Sequence, residues 1–150
     1  MNVLILYASN SGSNYHSAVT IADILAQKHR VVIKNASEVQ ISDIEKAKLI
    51  VMGSPSWMVN GEEGMPHEDV LHIMDALQST RYSQKKFALF GCGDKRYTFF
   101  CGAVDHMENF VKKIQAKEVI SPLKIDGFYF QLDESIKQIE SWSKKLLKAL

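Results

Sequence analysis

Short apolar runs alternate with longer amphipathic stretches along most of this chain. Each apolar run has the length of a buried strand, whereas the stretches between them repeat their apolar residues at helical spacing. The predicted strands cover residues 2–7, 30–35, 47–53, 85–91 and an interrupted run at 118–125. The predicted helices cover residues 14–29, 66–79, 103–116 and 133–150, with a short turn at 41–47.

This alternation predicts an α/β fold with a doubly wound, five-stranded parallel sheet and helices on both faces. The nearly unbroken apolar strands agree, because a central parallel strand is buried on both sides. We find no repeat and no linker, so residues 1–150 are expected to form a single domain. Ligands of such sheets bind beyond the carboxyl ends of the strands. Three loops at 8–14, 54–65 and 91–102 therefore become the candidate site.

Composition and charge exclude several functions. The chain has 150 residues, 46% of them hydrophobic, and a formal net charge of +1. No basic run is interleaved with aromatic residues, so we expect no nucleic-acid partner. No apolar stretch is long enough to span a membrane, and the N-terminus does not look like a signal peptide. We expect a cytoplasmic protein with no membrane partner, in which Cys92 and Cys101 are free, mostly buried thiols.

The first loop is unusually rich in small polar residues. Hydroxyls, amides and a glycine at the start of a helix offer many hydrogen-bond donors to an anion. The loop lacks the lysine of a nucleoside-triphosphate loop, so a phosphomonoester fits better. An ordinary capped turn explains the same residues equally well. The candidate residues are Ser9, Asn10, Ser11, Gly12, Ser13 and Asn14.

The second and third loops each place an aromatic residue, Trp57 and Tyr97, after a buried strand. A loop tryptophan usually packs on the edge of the core. Two flat rings on neighbouring loops beside a phosphate site also suit a planar ring held between them. The coincidence of the three loops favours the second interpretation.

At these three loops the sequence resembles the short-chain flavodoxins. The resemblance rests on ASNSGSN (8–14), GSPSW (53–57), FGCGDKRYTFFCGAVD (90–105) and LKIDG (123–127), and the order of elements agrees over the whole chain. It implies the strand order 2-1-3-4-5, for which flavodoxin is itself the standard example, with FMN at the point where the winding direction of the sheet reverses.

The resemblance also implies which residues contact FMN. Residues 9–14 would hold the phosphate, Trp57 and Tyr97 would cover the two faces of the flavin, and backbone groups of two further segments would meet the ribityl chain and the ring edge. Those segments supply Ser54, Pro55, Ser56, Trp57 and Met58, and Cys92, Gly93, Asp94 and Cys101. No side chain is needed as an acid, base or nucleophile, and no metal is expected.

The function implied is that of a monomeric low-potential electron carrier, not an enzyme. It would take electrons from a reductase and pass them to an electron-accepting enzyme. One alternative is an FMN-dependent NAD(P)H or quinone reductase on the same fold. A second is a receiver-type signalling domain without flavin, which would place clustered acidic residues where Ala8 and Ser9 stand.

The chain departs from the family pattern at several positions. Asn14 replaces a threonine in the phosphate loop, Met58 stands where glycine is common, and Lys95-Arg96 replace small or acidic residues. We expect positive φ to strain Met58, unless Asn60-Gly61 moves the turn downstream. Together with the two cations, this would bring the two one-electron potentials of the flavin closer together.

The histidines have ordinary explanations. His16, in the first turn of the first helix, is near enough to the loop to donate to a phosphate, but a solvated surface histidine is the better interpretation. His67 and His72 point in different directions on a helix, so they and Glu68 are assigned no metal site.

Overall fold

The computed structural model describes residues 1–150. The strands are β1 (Asn2–Tyr7), β2 (Arg30–Asn35), β3 (Leu49–Gly53), β4 (Ser56–Val59), β5 (Glu62–Pro66), β6 (Lys86–Gly93), β7 (Lys117–Glu118) and β8 (Leu123–Asp126). The α-helices are α1 (Ser13–Leu25), α2 (Ile41–Lys46), α3 (Glu68–Leu77), α4 (Gly102–Lys113) and α5 (Leu132–Ala149). A short 3-10 helix covers Ala36–Glu38.

The main sheet is parallel throughout, in the order β2-β1-β3-β6, with β7 and β8 both on the far side of β6. The predicted order is therefore confirmed. The fifth strand is split in two because Ser121-Pro122 lies between its halves, and proline has no N–H to continue the ladder. The carbonyl of Ser121 instead accepts from Trp142 Nε1 at 2.9 Å.

The core lies on both faces of this sheet because successive strand residues point to opposite sides. Leu4 and Leu6 of β1 face a cluster completed by α2, α3 and α4. Val3 and Ile5 face a second cluster, completed by α1 and α5. Helices therefore cover both faces of the sheet, which is the doubly wound arrangement that the sequence predicts.

The segment 54–65, predicted as a loop, contains a β-hairpin instead. Strands β4 and β5 pair antiparallel, with Val59 opposite Glu62, so Asn60 and Gly61 form a two-residue turn. Both take positive φ, 51° and 80°, which is the requirement of the turn that suits a twisted hairpin. The dipeptide Asn-Gly between two extended segments is the signal that predicts it.

The hairpin is fastened to the beginning of α4 rather than to the main sheet. Ser56 Oγ accepts a hydrogen bond from the N–H of Ala103 at 3.0 Å. Gly64 and Gly102 lie backbone to backbone, since a Cβ on Gly102 would stand 2.7 Å from the Gly64 carbonyl oxygen. The hairpin therefore has a fixed position beside the carboxyl end of β3.

Smaller differences lie at the ends of elements. The turn predicted at 41–47 is the helix α2, because Asp43 Oδ2 accepts from the N–H of Gln40 and completes a capping box. Helix α3 begins only after His67, whose Nδ1 accepts from the N–H of Asp69. No helix in the chain is both long enough and apolar enough to cross a bilayer.

Candidate functional site

The three candidate loops leave the sheet at the same edge. Tyr7 of β1 is paired with Gly53 of β3, and Gly53 is paired with Phe90 of β6. Because these strands are parallel neighbours, the residues that follow them come together beyond their carboxyl ends. The site is thus built from segments that are far apart in sequence.

The loop 9–14 ends in the first turn of α1. Gly12 takes φ 90° at the helix N-cap, where no side chain caps the helix, and the first turn contains no acidic residue. Ser9 Oγ accepts from the N–H of Gly12 at 3.0 Å. Ser13 and Asn14 are buried, whereas Asn10 and Ser11 are exposed. A helix N-terminus of this kind favours an anion through its N–H groups and its dipole.

Asn14 connects this loop to the end of β6. Its side chain is 1% exposed, and its Oδ1 accepts from the N–H of Cys92 at 3.3 Å. Its Nδ2 is buried with no hydrogen-bond partner in the protein. A buried donor without a partner costs about 1–3 kcal/mol, so an acceptor bound at this loop would relieve that cost.

Trp57 and Tyr97 line the same cavity, here called the outer cavity, of about 360 Å³. Trp57 is 45% exposed and Tyr97 73% exposed, so neither ring is packed into the core. The remaining lining residues are Ser56, Met58, Glu63, Gly64, Gly93, Asp94, Phe99 and Cys101. Trp57 is therefore not a buried core residue.

A second cavity of about 240 Å³, here called the inner cavity, adjoins the first. Ser56, Trp57, Gly93 and Asp94 line both. The inner cavity also reaches Ser11, Ser13, Pro55, Cys92 and the segment from Gly127 to Phe130. One crevice thus runs from the serine-rich loop to the two exposed aromatic rings.

Some of the expected site residues do not line this crevice. Ser9, Asn10, Gly12, Asn14 and Ser54 line neither cavity. The hydroxyl of Ser54 accepts from the N–H of His67 and donates to the carbonyl of Pro55. Its side chain therefore shapes the second loop from within.

Both thiols are buried beside the crevice. Cys92 is 7% and Cys101 1% exposed. Burial raises the pKa of Cys92, and it raises the pKa of Cys101 to about 12. Since only the thiolate is nucleophilic, both are expected to be unreactive at neutral pH.

This inertness is testable with an aromatic disulfide reagent at about pH 8, where an ordinary exposed thiol is readily labelled. We expect the native protein to react much more slowly than the same protein unfolded in urea, which should release two equivalents. Rapid labelling of either native thiol would contradict the burial argument.

A fourth segment, residues 126–130, completes the site and was not predicted from the sequence beyond its match to LKIDG. The N–H of Gly127 donates to the carbonyl of Gly93 at 3.0 Å, and Asp126 Oδ1 accepts from the N–H of Lys95 at 2.9 Å. The hydroxyl of Tyr129 donates to the carbonyl of Ser11. The sequence feature that could have indicated this segment is the Phe-Tyr-Phe run at 128–130, just after the last strand. Phe130 of this run is 86% exposed.

The backbone of Met58 does not have the expected positive φ, which occurs instead at Asn60 and Gly61. The expectation of strain at Met58 is therefore wrong, and the downstream turn is confirmed.

The guanidinium of Arg96 pairs with Asp94, an ion pair that lowers the pKa of the Asp94 carboxyl. Much of the Arg96 charge is thus compensated locally, so Lys95 is left as the main cation of this turn.

Comparison with known proteins shows the family to which the chain belongs. A sequence model of the flavodoxin family matches residues 5–142. The chain belongs to the flavodoxin family. A flavodoxin of Nitratidesulfovibrio vulgaris is 33% identical to this flavodoxin chain over 99% of both. Flavodoxin 2 of Bacillus cereus, in its oxidised crystal structure, is 27% identical with a TM-score of 0.87 and full coverage of both chains. A short-chain flavodoxin associated with a bacterial microcompartment is 28% identical, with a TM-score of 0.85 over 99% of this chain and 97% of that one.

Family membership confirms the expected fold, cofactor and general function. Flavodoxins are FMN-binding electron carriers that serve redox partners, without substrate turnover of their own. The alternative of a flavin-dependent reductase is not favoured. A receiver-type signalling domain without flavin is likewise excluded by the family match.

Proposed function

We propose that residues 1–150 act as one domain that binds FMN noncovalently along the crevice. The phosphate would lie at the loop 9–14 and the flavin ring between Trp57 and Tyr97. Backbone groups would meet the ribityl chain and the ring edge. They belong to residues that line the cavities: Pro55, Ser56, Trp57, Met58, Cys92, Gly93, Asp94 and Cys101.

The continuity of the two cavities carries this proposal. A molecule with a phosphate at one end and a planar ring at the other needs polar donors and flat apolar surfaces in a single groove. Ser11 and Ser13 line one end of the crevice, Tyr97 lines the other, and Trp57 lines both cavities.

The unpartnered Nδ2 of Asn14 supports the placement of the phosphate. It is a buried donor in the first turn of α1, next to an N-terminus that favours negative charge. Bound FMN would supply the redox chemistry, while the chain binds it, orients it and limits its contact with water.

The exposure of Trp57 and Tyr97 supports direct electron exchange with partner proteins, because the ring end of the crevice lies at the surface. We propose a reductase as donor and an electron-accepting enzyme as acceptor. The protein would work as a monomer, since one chain supplies the whole crevice, and in the cytoplasm, where its two free thiols stay reduced.

The phosphate placement is tested by comparing FMN, riboflavin and FAD in quenching of flavin fluorescence. We expect riboflavin to bind at least about tenfold more weakly than FMN, because it lacks the group that the loop holds. FAD is expected to bind poorly. Its flavin-side phosphate is joined to an adenylate, so it is no longer the terminal phosphomonoester that the loop holds.

Asn14→Asp sharpens this test. The new carboxylate can still accept from the N–H of Cys92. The substitution removes the Nδ2 donor, however, and places a negative charge beside the phosphate. FMN affinity should fall towards that of riboflavin, while riboflavin affinity stays unchanged. Equal affinities of the unmodified protein for FMN and riboflavin would rule out the phosphate role of residues 9–14.

A further inference from the structure

The fourth segment of the site, residues 126–130, joins both ends of the crevice. We call it the strap. On the ring side it holds the turn after β6 through the Gly127–Gly93 and Asp126–Lys95 hydrogen bonds. On the phosphate side it reaches the loop 9–14 through Tyr129.

The strap is anchored in the core by Phe128. This residue is 4% exposed and belongs to the hydrophobic cluster under α1 and α5. Its ring is stacked parallel to that of His16 at 6.3 Å between centroids and meets the Tyr129 ring edge-on at 5.0 Å. Tyr129 is therefore held in place over the loop, although half of its surface is exposed.

A single peptide plane, that between Ser11 and Gly12, is held at both of its polar atoms. The Ser11 carbonyl oxygen accepts from the Tyr129 hydroxyl, and the Gly12 N–H donates to Ser9 Oγ at 3.0 Å. Carbonyl and N–H of a trans peptide point in opposite directions. The two bonds therefore fix the rotation of this plane from opposite sides.

This restraint matters because the next residue is glycine with φ 90°. Glycine has no Cβ to resist rotation of the preceding peptide. A flip would turn the Ser11 carbonyl oxygen towards Ser9 and the Gly12 N–H away from it. A carbonyl oxygen turned into a loop that binds an anion opposes binding, whereas a fixed N–H array binds without first being ordered.

We propose that Tyr129 is a positioning residue for the phosphate loop. By holding the Ser11–Gly12 peptide in one orientation, its hydroxyl favours phosphomonoester binding and slows FMN release without itself contacting the phosphate. This inference rests on the proposed FMN placement, and it concerns the phosphate end alone.

The test is Tyr129→Phe, which removes only the hydroxyl and keeps the ring on Phe128. One hydrogen bond contributes about 0.5–1.5 kcal/mol, so we expect FMN affinity to fall about two- to tenfold, with faster FMN dissociation. Riboflavin affinity should not change. Tyr15→Phe is the matched control, since it removes the hydroxyl of a neighbouring tyrosine that makes no hydrogen bond to the loop.

A second measurement needs no ligand. In the apoprotein, amide hydrogen exchange of Gly12 should be faster in Tyr129→Phe than in the unmodified protein, because the peptide plane has lost one of its two restraints. Tyr15→Phe should leave this exchange rate unchanged.

The outcomes separate this inference from the proposed function. If the unmodified protein prefers FMN over riboflavin and Tyr129→Phe keeps the full preference, the proposed positioning role of Tyr129 is wrong. The placement of the phosphate at the loop 9–14 is then retained. Equal weakening of FMN and riboflavin would also overturn it, because the strap would then act on the ring end. Lack of any FMN preference in the unmodified protein would contradict the proposed function itself.

Discussion

Gly53→Ala is expected to destabilise the apoprotein by about 3 kcal/mol or more, a large part of the stability of a typical domain. A Cβ at this position would stand 2.0 Å from Cζ of Phe90 and 2.4 Å from both of its Cε atoms. Phe90 is fully buried and is the paired residue on the neighbouring strand, so its ring has no space into which it can move. Urea unfolding measures the loss.

Gly61→Ala is the control for this change. Gly61 has positive φ, unlike Gly53, and nothing lies within 4 Å of a Cβ built on it. Its substitution should cost only the backbone strain of about 1 kcal/mol. Equal losses for the two variants would show that the ring of Phe90 does not fill the space above Gly53.

The second large effect concerns the aromatic rings of the outer cavity. Trp57→Ala and Tyr97→Ala should each cost about 1–3 kcal/mol of FMN affinity, by analogy with bases stacked on aromatic side chains. Both rings are substantially exposed, so their truncation should leave the stability of the apoprotein nearly unchanged. Fluorescence titration with FMN gives the affinity, and urea unfolding of the apoprotein gives the stability.

Tyr15→Ala is a suitable comparison. Tyr15 is 45% exposed, like Trp57, but lines neither cavity. Its truncation should leave FMN affinity unchanged. Stacking would be refuted if Trp57→Ala bound FMN as tightly as Tyr15→Ala.

The sequence predicts the framework of this protein well because the framework is periodic. The runs at 2–7 and 47–53 are apolar at every buried position of β1 and β3, and α4 repeats its apolar residues at helical spacing. Such patterns report which face of an element is buried. The order of the strands came from the family resemblance, since periodicity does not say which strands are neighbours.

Contacts between distant segments could not be predicted in this way. Asn14 meets Cys92, and Tyr129 meets Ser11, across 78 and 118 residues of sequence. No local pattern encodes such pairs, because they depend on how the loops meet after the sheet has formed. The hairpin at 56–66 is different, since Asn60-Gly61 is a local signal that predicts its turn.

The attachment of the hairpin to α4 has a consequence for protein engineering. A two-stranded hairpin is marginally stable by itself, and this one is fixed by the Gly64–Gly102 contact and the Ser56–Ala103 hydrogen bond. The segment that carries Trp57 and the beginning of α4 therefore form one transferable unit. Grafting residues 54–66 into another scaffold without the glycine and backbone N–H at the start of this helix would transplant the tryptophan without the support that determines its position.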